Sequence, residues 1–439
     1  MMKRSTPKPL TSASPLRFNA EWIDSVFSKA KKVWIGFSGG VDSYVLLHAL
    51  VNQISAEQKQ KLMVLHVHHG LSVNADDWLK HCEHVSDKLG VSFLAERVRL
   101  ETQASLEDAA RNARYQAFQK IMSDQDVILL AHHAGDQVET VLFRLLRGTG
   151  GKGLTGIPQE RLLGNGNARL IRPFLTASKN DIEDYALQHK LVWIHDESNT
   201  DERFTRNFLR QRVVPVLKER FPKMEQNIVS SAQRIATDYA MLSQFAQQQL
   251  TVWSDAFGGL DLSFIMDKPA EERFFWWRYF LQSKDVSLPQ AQLESVDAMF
   301  SSAEDKQPEF EFPHGRIMRH QHAVYLLPPD EAVKLAVLVS GEMLLRPFDE
   351  ICVTGSDSCE LKARPHGVSL NMPNGKTRKL KKWLNDQAIP SWWREHLPYL
   401  YQGDTLVAIG DLWQHPDYSY LDIKWQASSA LPLPITKCR

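Results

Sequence analysis

Cysteine is scarce in this chain, with four in 439 residues (Cys82, Cys352, Cys359 and Cys438), and no two stand as C-x-x-C. That argues against a disulfide scaffold, a zinc ribbon and an iron–sulfur cluster, and it suits a reducing cytoplasm. Long apolar runs are also missing. No window of about 18 apolar residues occurs, so no membrane-spanning helix is expected. The opening "MMKRSTPKPLTSASP" is basic but has no apolar stretch, and it reads as part of a flexible lead-in over residues 1–25 rather than a signal peptide. Net charge is zero, 52 basic against 52 acidic residues, so bulk charge does not announce a polyanion partner. The sequence is equally compatible with a monomer and a homodimer.

Local charge says more. Residues 203–223, "RFTRNFLRQRVVPVLKERFPK", hold seven basic residues against one acid, and "GKTRKLKKW" at 375–383 holds five basic residues and no acid. A single basic run is often only a solvated helix face. Two of them in a balanced chain point to a polyanion such as nucleic acid.

Short apolar runs and amphipathic stretches alternate through the first half. Strands are expected at 32–37, 62–67, 91–98, 126–131 and 169–172, with helices near 42–52, 73–89, 105–122, 136–147 and 178–190. Ser178 followed by Asp181 has the spacing of a capping box. The alternation predicts an α/β fold, a parallel twisted sheet with helices on both faces, whose ligands bind beyond the carboxyl ends of the strands. Beyond about residue 215 the period becomes helical, short strands return at 309–327, and a boundary is expected at "LPPDEAVK" (327–334). The expected division is therefore a catalytic domain at 26–215, a mainly helical domain at 216–330 and a small α+β domain at 335–439, the last carrying one basic helix at 376–387.

The first strand–helix turn, "GFSGGVDS" at 36–43, admits three readings. G-x-S-x-G is the nucleophile elbow of serine hydrolases. Here it follows the first strand rather than several, and no later acid and histidine form a telling pattern. The dinucleotide fingerprint G-x-G-x-x-G occurs elsewhere, at Gly148, Gly150 and Gly153, after a helix instead of a strand, and Lys152 is not followed by the Ser or Thr of a P-loop. The third reading is a phosphate cradle. Ser38, Gly39, Gly40, Val41 and Ser43 would present backbone N–H groups and hydroxyls at a helix N-terminus. Asp42 has the wrong charge for a bare phosphate. A magnesium ion between its carboxylate and the phosphates supplies a reason for it.

These residues carry a resemblance. "SGGVDS" resembles the signature of the PP-loop ATP pyrophosphatases, which split ATP between the α and β phosphates to adenylate a substrate. "LHVHHGLS" (65–72), "AHHAGDQVETVLFRLLRGTGGKGLTGIP" (131–158), "DESNTDERFTRNFLRQRVVPVL" (196–217) and the C-terminal "RKLKKWLNDQAIPSWWREHLPYLYQGDTLVAI" resemble successive motifs of the tRNA(Ile)-lysidine synthetases. The resemblance implies ATP and Mg2+, free L-lysine and an isoleucine tRNA with a CAU anticodon as substrates and cofactor, and conversion of the wobble cytidine to lysidine. It implies nucleotide contacts from Ser38 to Ser43, with Asp42 as a candidate magnesium ligand and Asp136 as an alternative one if it does not serve the amine or the adenylate. His133 and Asp136 would activate the amine or contact the adenylate, with Glu139 one turn on. Arg111 and Arg114, three apart on one helix face, become candidates for phosphate or substrate contact, as do Arg206 and Asn207 in "FTRNFLR". Asn199 and Asp201 read as a turn. Lys376, Arg378, Lys379, Lys381 and Lys382 would contact tRNA phosphates. Trp383, Trp392 and Trp393 are expected mainly in a core, with base stacking as the alternative. One departure is visible: where the family often has two acids before a glutamine, this chain has Gly135-Asp136-Gln137.

Overall fold

The computed structural model describes residues 10, 16–70, 72–99, 106–164, 166–197, 201–301, 308–332, 336–355 and 358–435. The chain divides into two compact units, 1–240 and 241–439, the division falling within the helix Met224–Trp253.

In the first unit, strands β1 (Val33–Gly36), β2 (Leu62–His68), β3 (Ser92–Arg97), β4 (Val127–Leu129), β5 (Glu160–Leu162) and β6 (Arg169–Ile171) form one sheet in the order β3-β2-β1-β4-β6-β5. All neighbours run parallel except the edge pair β5–β6. The helices are α1 (Ala20–Phe27), α2 (Val41–Val51), α3 (Ala56–Gln60), α4 (Ala75–Leu89), α5 (Leu106–Ile121), α6 (Ala134–Leu146), α7 (Gly151–Leu154) and α8 (Lys179–Gln188). Strand β1 is wholly apolar up to its final glycine, as expected of a strand covered on both faces. One cluster packs Val33, Ile35, Val45, Leu46, Ile182 and Phe174, and a second packs Trp34, Ile128, Phe118 and Leu170. Strand order reverses between β1 and β4, and that switch point is where such sheets bind ligands.

Two expectations for the first unit need correction. The lead-in over 1–25 is too long: Leu16, Phe18, Trp22 and Ile23 are buried, because α1 turns an apolar face onto the sheet core and Phe18 stacks on Trp22 and Phe174. Residues 1–9 and 11–15 of that stretch lie outside the described residues. The antiparallel strand β5 is an addition, absent from the expected strands. Its three side chains are all exposed, so no alternating pattern marks it.

The second unit begins in helices, Ser263–Met266, Ala270–Gln282 and Gln290–Phe300, and ends in antiparallel sheets of four, five, three and two strands. The expected boundary at 327–334 runs into residues 333–335, outside the described residues. The basic helix expected at 376–387 opens as a strand instead. Gly375, at φ +74°, closes a turn, and Thr377–Lys379 pairs with Ser369–Asn371 before the helix Leu380–Asp386 begins. Three cross-strand pairs satisfy backbone groups that a helix start would have left open. The indoles of Trp383, Trp392 and Trp393 are at most 3% exposed, within one core with Trp413 and Trp425. Trp392 and Trp393 donate their N–H groups to the carbonyl of Pro432, so base stacking is not their role.

Candidate active site

Three helices begin near the carboxyl ends of β1, β4 and β6, and their first turns differ in one respect. At α8, Ser178 and Asp181 close a reciprocal cap, as the sequence spacing indicated. At α6, His133 and Asp136 do the same: Asp136 accepts from the His133 N–H (2.8 Å), while Gly135 N–H donates to His133 Nδ1 (3.0 Å). At α2 the capping residue is Gly40, and no side chain closes the end. The open N-terminus keeps its N–H groups and partial positive charge for an anion.

The turn before α2 is shaped to leave that end bare. Gly39 lies at φ +81°, and a Cβ there would stand 2.3 Å from Ile194 Cδ1. Its carbonyl accepts from Ile194 N–H at 3.0 Å, pinning the loop. Ser43 Oγ accepts from Ser38 N–H (3.2 Å) and donates to the Gly40 carbonyl (3.0 Å), and Ser38 Oγ lies 3.2 Å from Ser43 Oγ. Among the described residues no histidine nitrogen hydrogen-bonds Ser38, so the serine-hydrolase reading has no base.

Carboxylates surround the open end. Asp42, in the first turn of α2, accepts from Lys179 Nζ at 2.6 Å, and its Oδ1 lies 4.0 Å from His133 Nε2. His133 Nε2 lies 3.7 Å from Asp136. Because His133 Nδ1 accepts from Gly135, the neutral ring carries its proton on Nε2, facing both carboxylates. Burial works to raise the Asp136 pKa, but His133, His132, the His133 N–H and Arg210 outweigh it and hold the carboxyl below its ordinary value. Arg210 grips Glu139 with two hydrogen bonds, 2.6 and 2.9 Å, and reaches Asp136 at 3.6 Å. It stands on a one-turn π-helix, Leu209–Val213, a local irregularity of the kind found at functional sites. Gly135 also has a local reason: a Cβ there would stand 2.7 Å from His133 Cε1. Its missing side chain makes room for the ring where the family often has an acid.

A basic zone lies alongside. The charge of Arg114 acts on His66 and His69 at the end of β2, and both Arg111 and Arg114 act on His132 at the end of β4. Arg111 and Arg161 lie against the Tyr115 ring, at 5.4 and 4.7 Å from its centre, and buried Arg172 donates to the Pro158 carbonyl at 2.7 Å. Arg206, on Thr205–Phe208, adds its charge near Arg144. Asn207 is buried and donates to the Asp201 carbonyl at 2.9 Å, bracing its own loop; Asn199 lies outside the described residues. The sequence reading missed Lys179, Arg210, Arg172 and Tyr115. Only Lys179 left a signal, a cation in the first turn of a capped helix, where the macrodipole disfavours it.

The donor set fits magnesium. Asp42 and Asp136 offer hard oxygens, and no group of three or more His, Cys, Asp or Glu among the described residues holds a metal by itself. Magnesium is commonly held by one or two carboxylates, with substrate phosphates completing the shell.

On the second unit, Lys376, Lys379, Lys381 and Lys382 are exposed, whereas Arg378 is half-buried and paired with Asp386. Hairpin and helix thus share the basic stretch, and its arginine is already neutralised.

Burial pushes His69 and His132 down to about 4, with Arg114 adding to it in both. The unfolded chain takes up these protons near 6.5, while the folded chain resists until about 4. Stability is therefore present above pH 6.5 and lost as pH falls toward 4. His69→Gln is expected to recover about 1 kcal/mol of the loss at pH 5, measured as urea midpoints at pH 7 and 5. An unchanged pH dependence would remove His69 from this account.

Comparisons agree with this geometry. Residues 14–217 match the PP-loop domain, 275–325 the TilS substrate binding domain and 359–425 the TilS substrate C-terminal domain. The chain is 34% identical to the tRNA(Ile)-lysidine synthase of Pseudomonas putida, over 86% of this chain and 92% of that protein. It is 35% identical to that of Vibrio cholerae O395 (89% and 93%) and 32% to that of Legionella pneumophila Paris (89% and 93%). No helix among the described residues is long and apolar enough to cross a membrane. A PP-loop sheet with the N-terminus of α2 left open after its glycine turn, followed by the two substrate domains and matched along nearly its whole length by these relatives, places the chain in the tRNA(Ile)-lysidine synthase family, ATP-dependent ligases that modify tRNA.

Proposed function

We propose that this chain joins free lysine to C2 of the wobble cytidine in the CAU anticodon of isoleucine tRNA, through an adenylated tRNA, so that the codon read changes from AUG to AUA. The observation that carries the reading is the open N-terminus of α2 beside Asp42, His133 and Asp136. Oxygen at C2 of cytosine is a poor leaving group. It attacks the α-phosphorus of ATP, the bond from that phosphorus to the bridging oxygen breaks, and pyrophosphate leaves with the electron pair. The lysine ε-nitrogen then attacks C2, the C2–oxygen bond breaks, AMP leaves, and the nitrogen gives up its proton.

Each step asks for groups that the site holds. In-line transfer needs positioning and charge neutralisation. The N–H groups of the 38–43 turn and α2, with Ser38 and Ser43, hold phosphate oxygens. Asp42 and Asp136 would hold magnesium, which when bound would neutralise charge on the phosphates. His133 Nε2–H donates toward the α-phosphoryl oxygens, and Arg111, Arg114 and Arg206 hold the anionic substrate. Free lysine is an ammonium with a pKa of about 10.4, so the site must bind the cation and strip its proton. Asp136, held ionised, draws the ammonium, with Glu139 behind it. The target cytidine is unpaired in an anticodon loop and can be splayed into the site. Lys376, Lys379, Lys381 and Lys382 meet phosphates, with a smaller share for the already paired Arg378. Cys82, Cys352 and Cys359 are all free thiols, which supports a cytoplasmic setting.

The test is incubation with ATP, Mg2+, labelled lysine and unmodified isoleucine tRNA carrying CAU. Lysine-dependent release of AMP and pyrophosphate, with label in the tRNA, is expected. AMP release without label in the tRNA would point to another PP-loop tRNA modification. Ester hydrolysis lost on Ser38→Ala, with no tRNA product, would establish the hydrolase instead.

A further inference from the structure

We propose that Lys179 is a phosphate-binding residue of this reaction, held on Asp42 in the resting protein and released to the β- and γ-phosphoryl oxygens when ATP binds. This rests on the reading of the α2 N-terminus as the ATP phosphate site.

Lys179 is the first residue of α8, directly after the cap Ser178. A cation there meets the positive end of the helix dipole, which costs a few tenths of a kcal/mol to about 1 kcal/mol. Something must offset that placement, and the described partner is Asp42, 137 residues away in sequence. The loop before α8 is pinned to the site: the Ala177 carbonyl accepts from Ala134 N–H at 2.9 Å, tying it to the start of α6. The ammonium is therefore delivered to the uncapped first turn of α2.

The pair is not a buried structural bridge. The side chains of Lys179 and Asp42 are 36% and 33% exposed, so both stay reachable by a ligand. Exposed pairs of this kind contribute little to stability. A point charge on a flexible stem can instead change partner at small cost. Asp42 would be drawn from Lys179 by a bound magnesium ion, and phosphates at the α2 N–H groups would bring negative charge within reach of the freed ammonium. Arg210 also acts on Asp42 through its charge but is held on Glu139 by two hydrogen bonds, so Lys179 is the cation bonded directly to Asp42. As the bond from the α-phosphorus to the bridging oxygen breaks, charge grows on the departing pyrophosphate. A cation there stabilises the transition state more than the ground state.

The experiment compares wild type, Lys179→Met and Lys179→Arg in equilibrium binding of ATP, pyrophosphate and AMP, each with Mg2+, by calorimetry. Lys179→Met is expected to weaken ATP and pyrophosphate by roughly ten- to a hundredfold, leave AMP nearly unchanged, and be largely restored in Lys179→Arg. Equal binding of all three ligands by Lys179→Met and wild type, or equal weakening of AMP and ATP, overturns the proposal and leaves Lys179 as the resting counter-ion of Asp42. If wild type itself binds neither ATP nor pyrophosphate, the phosphate-site reading fails instead. Should Lys179→Met unfold, Lys179→Gln gives the same comparison, its folding checked by circular dichroism.

Discussion

Asp42→Asn lowers the rate of AMP formation by on the order of 10²–10³-fold and leaves tRNA affinity nearly unchanged. The substitution keeps the shape of the side chain and removes one charge. That charge is the only one contributed by the 38–43 turn, and it faces Lys179 at 2.6 Å and His133 at 4.0 Å. Asparagine offers magnesium only a neutral amide oxygen, so the ion would be held more weakly and the phosphates would meet the α2 N-terminus with less neutralisation. The fold should tolerate the change, since an acid in a first helical turn contributes only a few tenths of a kcal/mol to about 1 kcal/mol. Single-turnover AMP release and filter binding of tRNA measure the two quantities separately. An equal fall in tRNA affinity would falsify the metal role and make Asp42 part of the tRNA surface.

Trp393→Ala destabilises the second unit by about 3–5 kcal/mol, a large share of what holds a domain folded. The indole is fully buried, meets Trp425 edge-on with centroids 5.6 Å apart, and donates to the carbonyls of Leu431 and Pro432. Alanine leaves a cavity and takes the indole donor from the Leu431 carbonyl, while the Pro432 carbonyl keeps only Trp392. The urea midpoint, followed by tryptophan fluorescence, should drop accordingly. ATP binding should persist, because the phosphate site is built from residues of the first unit. Were Trp393 a stacking platform after all, tRNA affinity would fall with no change in midpoint.

The sequence was most legible where a local rule operates. Ser178 and Asp181 announced a cap three residues apart, and the cap is there. The apolar runs near 33, 62, 127 and 169 became parallel strands because buried strands are apolar on both faces. The "GFSGGVDS" turn announced an open helix start through its glycines, and α2 begins after Gly40 with no side-chain cap. It was misleading where pairing decides the outcome. "GKTRKLKKW" has the composition of a basic helix, but Leu370 pairs with Arg378 and Ser369 with Lys379, which draws the first half into a hairpin. Strand β5 carries no apolar pattern and exists only because β6 offers it an edge.

By itself, then, the sequence determined the α/β order of the first unit and the open glycine turn, and it singled out Asp42, His133 and Asp136, whose carboxylates the fold brings within 4.0 Å of the His133 ring. These follow from spacing along the chain, which fixes helix faces, strand ends and caps over a few residues. Only the tertiary structure decided that Lys179 meets Asp42, that Arg210 clamps Glu139 and reaches Asp136, and that the tryptophans are core. Those contacts join residues as many as 137 positions apart, and nothing in local propensity ties their positions together. They exist because parallel strands end at one edge of a sheet and gather there the residues that follow them.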